Sequence, residues 1–209
     1  MLRKLFIASA VAILGSIPSF GQVAIGVQGS LQFSNFNASA NGISISGNNV
    51  VGFQAGLMLD APLSGNLSLR PQLLFSTKGS ELSSGGATSK TTLNYLEVPI
   101  QLYYGLEAGN GKVVLGAGPY LAYGLGGTST STSGSQSQTE SVKFGGNDNP
   151  QAFDYGLRLS AGYELNTGLT LSGYFSPGLA NYAPSNAGNV SIKNTAFDIS
   201  VGYFFSGRE

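Results

Sequence analysis

From residue 25 to residue 205 apolar side chains recur at every second position, interrupted by runs of Gly, Ser, Thr and Asn. The stretch from Phe153 to Leu165 carries the pattern without a break. Phe153, Tyr155, Leu157, Leu159, Ala161, Tyr163 and Leu165 fall on one side, and Asp154, Gly156, Arg158, Ser160, Gly162 and Glu164 on the other. A period of two marks a strand whose faces meet different surroundings; a helix, at about 3.6 residues per turn, does not sort residues this way. The same alternation sets Ile25, Val27, Leu31 and Phe33 against Gly26, Gln28, Ser30 and Gln32, and Val51, Phe53, Leu57 and Leu59 against Gln54, Gly56 and Asp60. It predicts further strands over residues 67–78, 93–106, 113–125, 169–182 and 195–205, which makes eight in all.

The connections alternate in length. Those around residues 62–66, 107–112 and 166–168 are short, whereas those at 37–49, 79–92, 126–151 and 183–194 are long and polar. Short turns on one rim and long loops on the other are the arrangement of bacterial outer-membrane barrels. The expected fold is therefore all-β, an eight-stranded antiparallel up-and-down transmembrane β-barrel. Residues 127–141, GTSTSTSGSQSQTES, offer little apolar area to offset the entropy of ordering, and they are expected to form a flexible loop tip.

Alternation alone also suits a soluble barrel, so the composition of the two faces decides. One face carries Leu, Val, Phe and Tyr, with Phe33, Phe53, Phe75, Tyr123, Tyr155 and Phe197 near the long loops and Tyr104, Tyr163, Tyr203 and Phe205 near the short turns. Two such bands match the aromatic girdles of membrane interfaces. The other face mixes Gly and Ser with Gln, Arg, Glu and Asp, which suits the narrow interior of an eight-stranded barrel, filled by side chains.

Charged residues make up 10% of the chain, against about 25% in a typical soluble protein. Beyond residue 22 no apolar run approaches the about 20 residues of a membrane-spanning helix. Residues 1–22 begin with Arg3 and Lys4, continue in an apolar run over 5–14 and end in Ser19-Phe20-Gly21-Gln22. This is the layout of a secretory signal, with cleavage expected between Gly21 and Gln22 and a barrel domain over 22–209. Without Arg3 and Lys4, eight basic residues face ten acidic ones, a net charge of −2 that argues against nucleic acid as a partner. The expected partners are membrane lipid and, through the long loops, an envelope or extracellular component. There is no cysteine, hence no disulfide, thiolate metal site or lipid-attachment cysteine.

Residues 94–104, NYLEVPIQLYY, resemble the Tyr-Leu-Glu-hydrophobe-Pro strand of the PorT-like outer-membrane β-barrel family, common in Bacteroidetes. The Phe20-Gly21-Gln22 end of the leader and Val201-Gly202-Tyr203-Phe204-Phe205 are similar to that family too. The resemblance implies the barrel and an outer-membrane location. It implies no single activity, because members include factors associated with secretion and gliding.

The chain has no histidine, which removes the His-dependent mechanisms of outer-membrane acyl hydrolases and proteases and the commonest metal ligand. Asn147-Asp148-Asn149 lacks the spacing of a calcium loop and reads as turn chemistry. The chemistry that remains is a set of inward-facing charges: Asp60, Arg70, Lys78, Glu97, Asp154, Arg158, Glu164 and Asp198. These form either a proton or ion relay or, as the mixed signs favour, pairs that brace the strands. The expected pairs are Asp60 with Arg70, Lys78 with Glu97, and Arg158 among Asp154, Glu164 and Asp198. No catalytic, cofactor or metal residue is assigned. The pattern favours a non-enzymatic envelope protein with a structural or loop-mediated role; the alternative is a narrow ion or small-solute channel.

Overall fold

The computed structural model describes residues 23–146 and 149–205. Ten strands follow one another: β1 (Ala24–Ala40), β2 (Ile43–Ser46), β3 (Asn48–Ser64), β4 (Leu67–Ser84), β5 (Ala87–Ala108), β6 (Gly111–Ser133), β7 (Gln136–Val142), β8 (Phe153–Leu165), β9 (Leu169–Pro177) and β10 (Val190–Phe204). Eight of them close a ring in the order β1-β3-β4-β5-β6-β8-β9-β10, with β10 paired antiparallel to β1. Closure leaves the ring without a free edge, so every strand is flanked on both sides, as a hydrocarbon surrounding requires.

β2 and β7 lie outside the ring. β2 pairs only with the top of β1 through the turn Asn41-Gly42, where both residues take positive φ (51° and 80°). That is the geometry of a tight hairpin turn, and Asn-Gly is the dipeptide that adopts it at least cost. β7 pairs with the top of β6, from Gly127 opposite Val142 to Ser133 opposite Gln136. The stretch 127–141 is thus a β-hairpin and not the structureless tip that its low complexity suggests. Two features order it. Thr favours extended backbone, and Thr130–Thr139 (2.9 Å) and Thr132–Ser137 (3.2 Å) pair their hydroxyls across the strands. The other edge of β6 is held by β5, which continues to Ala87 opposite Ser133.

The rim on the long-connection side is therefore taller than the periodicity predicts. β4, β5 and β6 run well past residues 78, 93 and 125, whereas β9 stops at Pro177, short of residue 182. The pleat follows the expected faces: Leu159 is 47% exposed and its neighbour Ser160 9%. Phe53, Phe75, Tyr123, Tyr155 and Phe197 stand outside near the tall rim, and Tyr104, Tyr203 and Phe205 outside near the short turns. Residues 1–22 and 206–209, including the leader, and Asn147 and Asp148 lie outside the described residues.

Candidate functional site

The interior is where the chain concentrates its charge, and the strand register determines which charges meet. In the short-turn half, Arg70 on β4 lies 3.2 Å from Asp60 on β3 and 2.5 Å from Glu164 on β8, across the lumen. Its guanidinium also stacks on the Tyr103 ring at 4.0 Å. Glu164 is shared with Lys112, 3.5 Å away at the rim. Asp60, Arg70, Tyr103, Lys112 and Glu164 line a cavity of about 330 Å³ that opens at this end.

In the upper half, Lys78 on β4 bridges Glu97 on β5 (2.8 Å) and Asp154 on β8 (3.4 Å). Arg158 on β8 reaches three other strands. It donates from Nη1 to Glu97 Oε1 (2.9 Å) and from Nη2 to Gln54 Oε1 (2.7 Å), and Nη2 lies 3.8 Å from Asp198 Oδ2. Gln32 donates to Asp198 Oδ1 at 2.6 Å and accepts from Ser76 Oγ at 2.9 Å. Tyr174 lies under the Arg158 guanidinium at 4.1 Å, and Tyr120 under the Lys78 ammonium at 4.6 Å. Asp154 also accepts from Asn194 and from Tyr120. Apart from Lys112 at the rim, the charged members of this lattice are buried.

All eight charges expected inside are buried there, and the pairs Asp60–Arg70, Lys78–Glu97 and Arg158–Asp198 form. Asp154 and Glu164 do not pair with Arg158. They share its face of β8 but stand four residues above and six below it, roughly 13 and 20 Å away at about 3.3 Å per residue. Asp154 therefore meets Lys78, and Glu164 meets Arg70 and Lys112. The strand parity already set Gln32 and Gln54 on the inward face, whereas Lys112, at the end of a predicted short turn, and Tyr120 and Tyr174 were not among the inward residues named from the sequence. The same parity along 169–177 would have found Tyr174. Among the described residues no group of three or more His, Cys, Asp or Glu is arranged to hold a metal ion.

A second feature had no signal in the periodicity. Above the lattice, Leu93, Tyr95, Tyr120 and Ala122 form a buried apolar layer, packed by Phe36, Val142, Phe144 and Tyr182. Phe36 stacks on Tyr182 at 5.2 Å, and Phe144 tilts against Tyr95 at 5.5 Å. Phe144 and Tyr182 come from the connections after β7 and β9, so the loops fold inward and seal the mouth. Gly124 makes room for this, since a Cβ there would stand 2.5 Å from the Phe144 ring. Asn181 fixes the other loop by accepting from the amides of Ala183 and Ile192 and donating to the Val190 carbonyl. Burial pushes the Tyr182 phenol well above its usual range, so it stays neutral in this apolar layer.

A closed eight-stranded ring with an apolar, aromatic-banded outer wall and its charges inside is an integral β-barrel of the outer membrane. The chain belongs to the outer membrane protein beta-barrel domain family, which it matches over residues 16–183. No curated protein matches its sequence. Among solved structures it is similar to Neisserial surface protein A at 12% identity, with 88% of this chain and 99% of that one covered and a TM-score of 0.46. Ail, the attachment invasion locus protein of Yersinia pestis, matches at 13% identity over 90% of this chain and 100% of its own, TM-score 0.43. OprG of Pseudomonas aeruginosa matches at 11% identity over 89% and 97%, TM-score 0.44.

Proposed function

We propose that this protein is a non-enzymatic outer-membrane barrel whose interior serves as a brace and whose tall rim presents strands and loops to an envelope or extracellular partner. The observation that carries this reading is the filled lumen. Each of Arg70, Lys78 and Arg158 is shared between two carboxylates on other strands, and an aromatic layer lies over them. Paired groups of this kind hold strands in register and leave no lone base beside a nucleophile. The absence of histidine supports the non-enzymatic reading. In this reading the tall rim faces outward, residues 1–21 are removed as a signal, and the protein is a PorT-like barrel of a Bacteroidetes outer membrane, as the NYLEVP strand suggests.

Two measurements on the full-length barrel test this. Purified protein in a planar bilayer gives no reproducible conductance steps; steps of fixed size would support a narrow channel and reject the brace. Proteinase K added to intact cells cuts within residues 127–142 and spares residues 107–112; the reverse pattern would reject the outward rim.

A further inference from the structure

The hairpin over residues 127–142 does not stand alone. Ser84 pairs with Ala87, Ala87 with Ser133, and Ser133 with Gln136, so the tops of β4, β5, β6 and β7 form one four-stranded sheet above the aromatic band. Its inner side continues the lumen face. On β5 the buried Tyr95 and Leu93 are followed on the same face by Thr91, Ser89 and Ala87, and residues in register with these share that face. One registered row reads Leu82, Ser89, Ser131, Gln138, and the row beyond it includes Ser133 and Gln136. The two rows floor a groove of about 800 Å³, within the range of about 300–1,000 Å³ found for small-molecule sites.

The lining is chemically unusual for a groove of this size. Of its lining residues eight stand on the inner side, and of these six carry a hydroxyl or a carboxamide, two (Leu82 and Ala87) are apolar, and none is charged; Thr88, Thr132 and Ser137 border the groove from the row that faces the other way. Glu81 and Lys90 are in register with each other on the opposite side of the sheet. The nearest carboxylate on the inner side, Glu140, stands one row closer to the membrane and accepts from Gln138 at 3.1 Å. A phosphate or sulfate would find no counter-charge here, and a basic group would find only Glu140 at the edge, already held by Gln138. Hydroxyls and amides both donate and accept, as sugar hydroxyls do, and Leu82 offers an apolar contact for the C–H face of a ring.

We propose that this groove binds an uncharged saccharide at the outer surface. The proposal deepens the reading of the barrel as a rim-presenting protein, and rests on it, by naming the chemical class of the partner. Serine hydroxyls from paired strands give a regular donor and acceptor array, with strands about 4.8 Å apart and like-facing residues about 6.8 Å apart along each. The array costs little side-chain entropy to hold, because serine has few rotamers to lose.

The test uses full-length barrel refolded into phosphatidylcholine vesicles, which carry no sugar headgroups. Saturation-transfer NMR is recorded with maltohexaose, cellohexaose, mannohexaose and chitohexaose, and with sucrose octasulfate as the charged comparison. At least one neutral oligosaccharide binds saturably, and sucrose octasulfate binds no more than to empty vesicles. The double variant Ser89→Ile/Ser131→Ile fills the floor and removes two hydroxyls; it weakens binding by about tenfold or more. Thr130→Val, on the opposite side of the sheet, leaves binding unchanged. Unaltered gel mobility of both variants before and after heating shows that the barrel has folded. The proposal is overturned if none of the four neutral sugars binds, if the double variant binds them as well as the parent, or if sucrose octasulfate binds better than all four. A partner captured equally by parent and double variant, with no sugar bound, overturns the saccharide while leaving the rim-presenting reading intact.

Discussion

Replacing Arg158 with Met prevents refolding of the barrel into lipid vesicles or lowers its stability toward urea by about 3–5 kcal/mol, the loss expected when one partner of a buried ion pair is removed. The arithmetic of the lumen explains the size. Five carboxylates (Asp60, Glu97, Asp154, Glu164, Asp198) are buried there with three fully buried cations (Arg70, Lys78, Arg158). Taking away Arg158 leaves Asp198 without its cation and Glu97 with Lys78 alone, and frees the acceptor of Gln54. Met fills similar space, so the loss reports charge and not a cavity. Arg158→Lys keeps the charge but not the fork that reaches Glu97 and Gln54 together, and it falls between Met and the parent. Adding Asp198→Asn to the Met variant recovers part of the loss, because the carboxylate left without its cation is neutralised while the Lys78–Glu97 pair is kept. Urea curves for Arg158→Met that superpose on the parent would show that the lattice does not brace the barrel.

One residue along the same strand the expected effect has a different origin. Leu159→Arg places a guanidinium on the outer wall in the middle of β8, where Leu159 is paired with Ala117 and Phe175. Near the bilayer midplane this costs about 2–4 kcal/mol. Leu159→Ala, which leaves no buried cavity because the site faces lipid, costs far less. The ratio between the two identifies the surroundings, since in a packed protein core both would be severe. Equilibrium unfolding in vesicles reads both values. An Arg variant as stable as the Ala variant would mean that position 159 meets water.

The limits of sequence reading follow the physics of each element. β8 was legible to the residue, Phe153–Leu165, because its alternation has no break and its ends meet turn-forming residues. The tops of β4, β5 and β6 were not, because above residues 78, 93 and 125 both faces are polar and the period-two contrast vanishes; backbone pairing and Thr–Thr contacts order them instead. All eight inward charges were legible as inward, since parity settles that on a strand. The expected pairs Asp60–Arg70, Lys78–Glu97 and Arg158–Asp198 form. Asp154 and Glu164 were assigned to Arg158 by sign alone, although the register puts them at opposite ends of the lumen. The aromatic seal had no period to reveal it. Phe144 and Tyr182 sit in irregular segments, and only the folded loops bring them onto Phe36 of β1.

The central claim, that the apolar side of this ring faces acyl chains, is tested most directly at the adjacent pair Leu159 and Ser160. Since the chain has no cysteine, a single cysteine introduced at either position carries one polarity-sensitive fluorophore at a known site. After refolding into vesicles containing lipid-attached quenchers, the label at position 159 is strongly quenched and the label at position 160 only weakly. Equal quenching at the two positions, or folded protein recovered from water without detergent, would contradict the account.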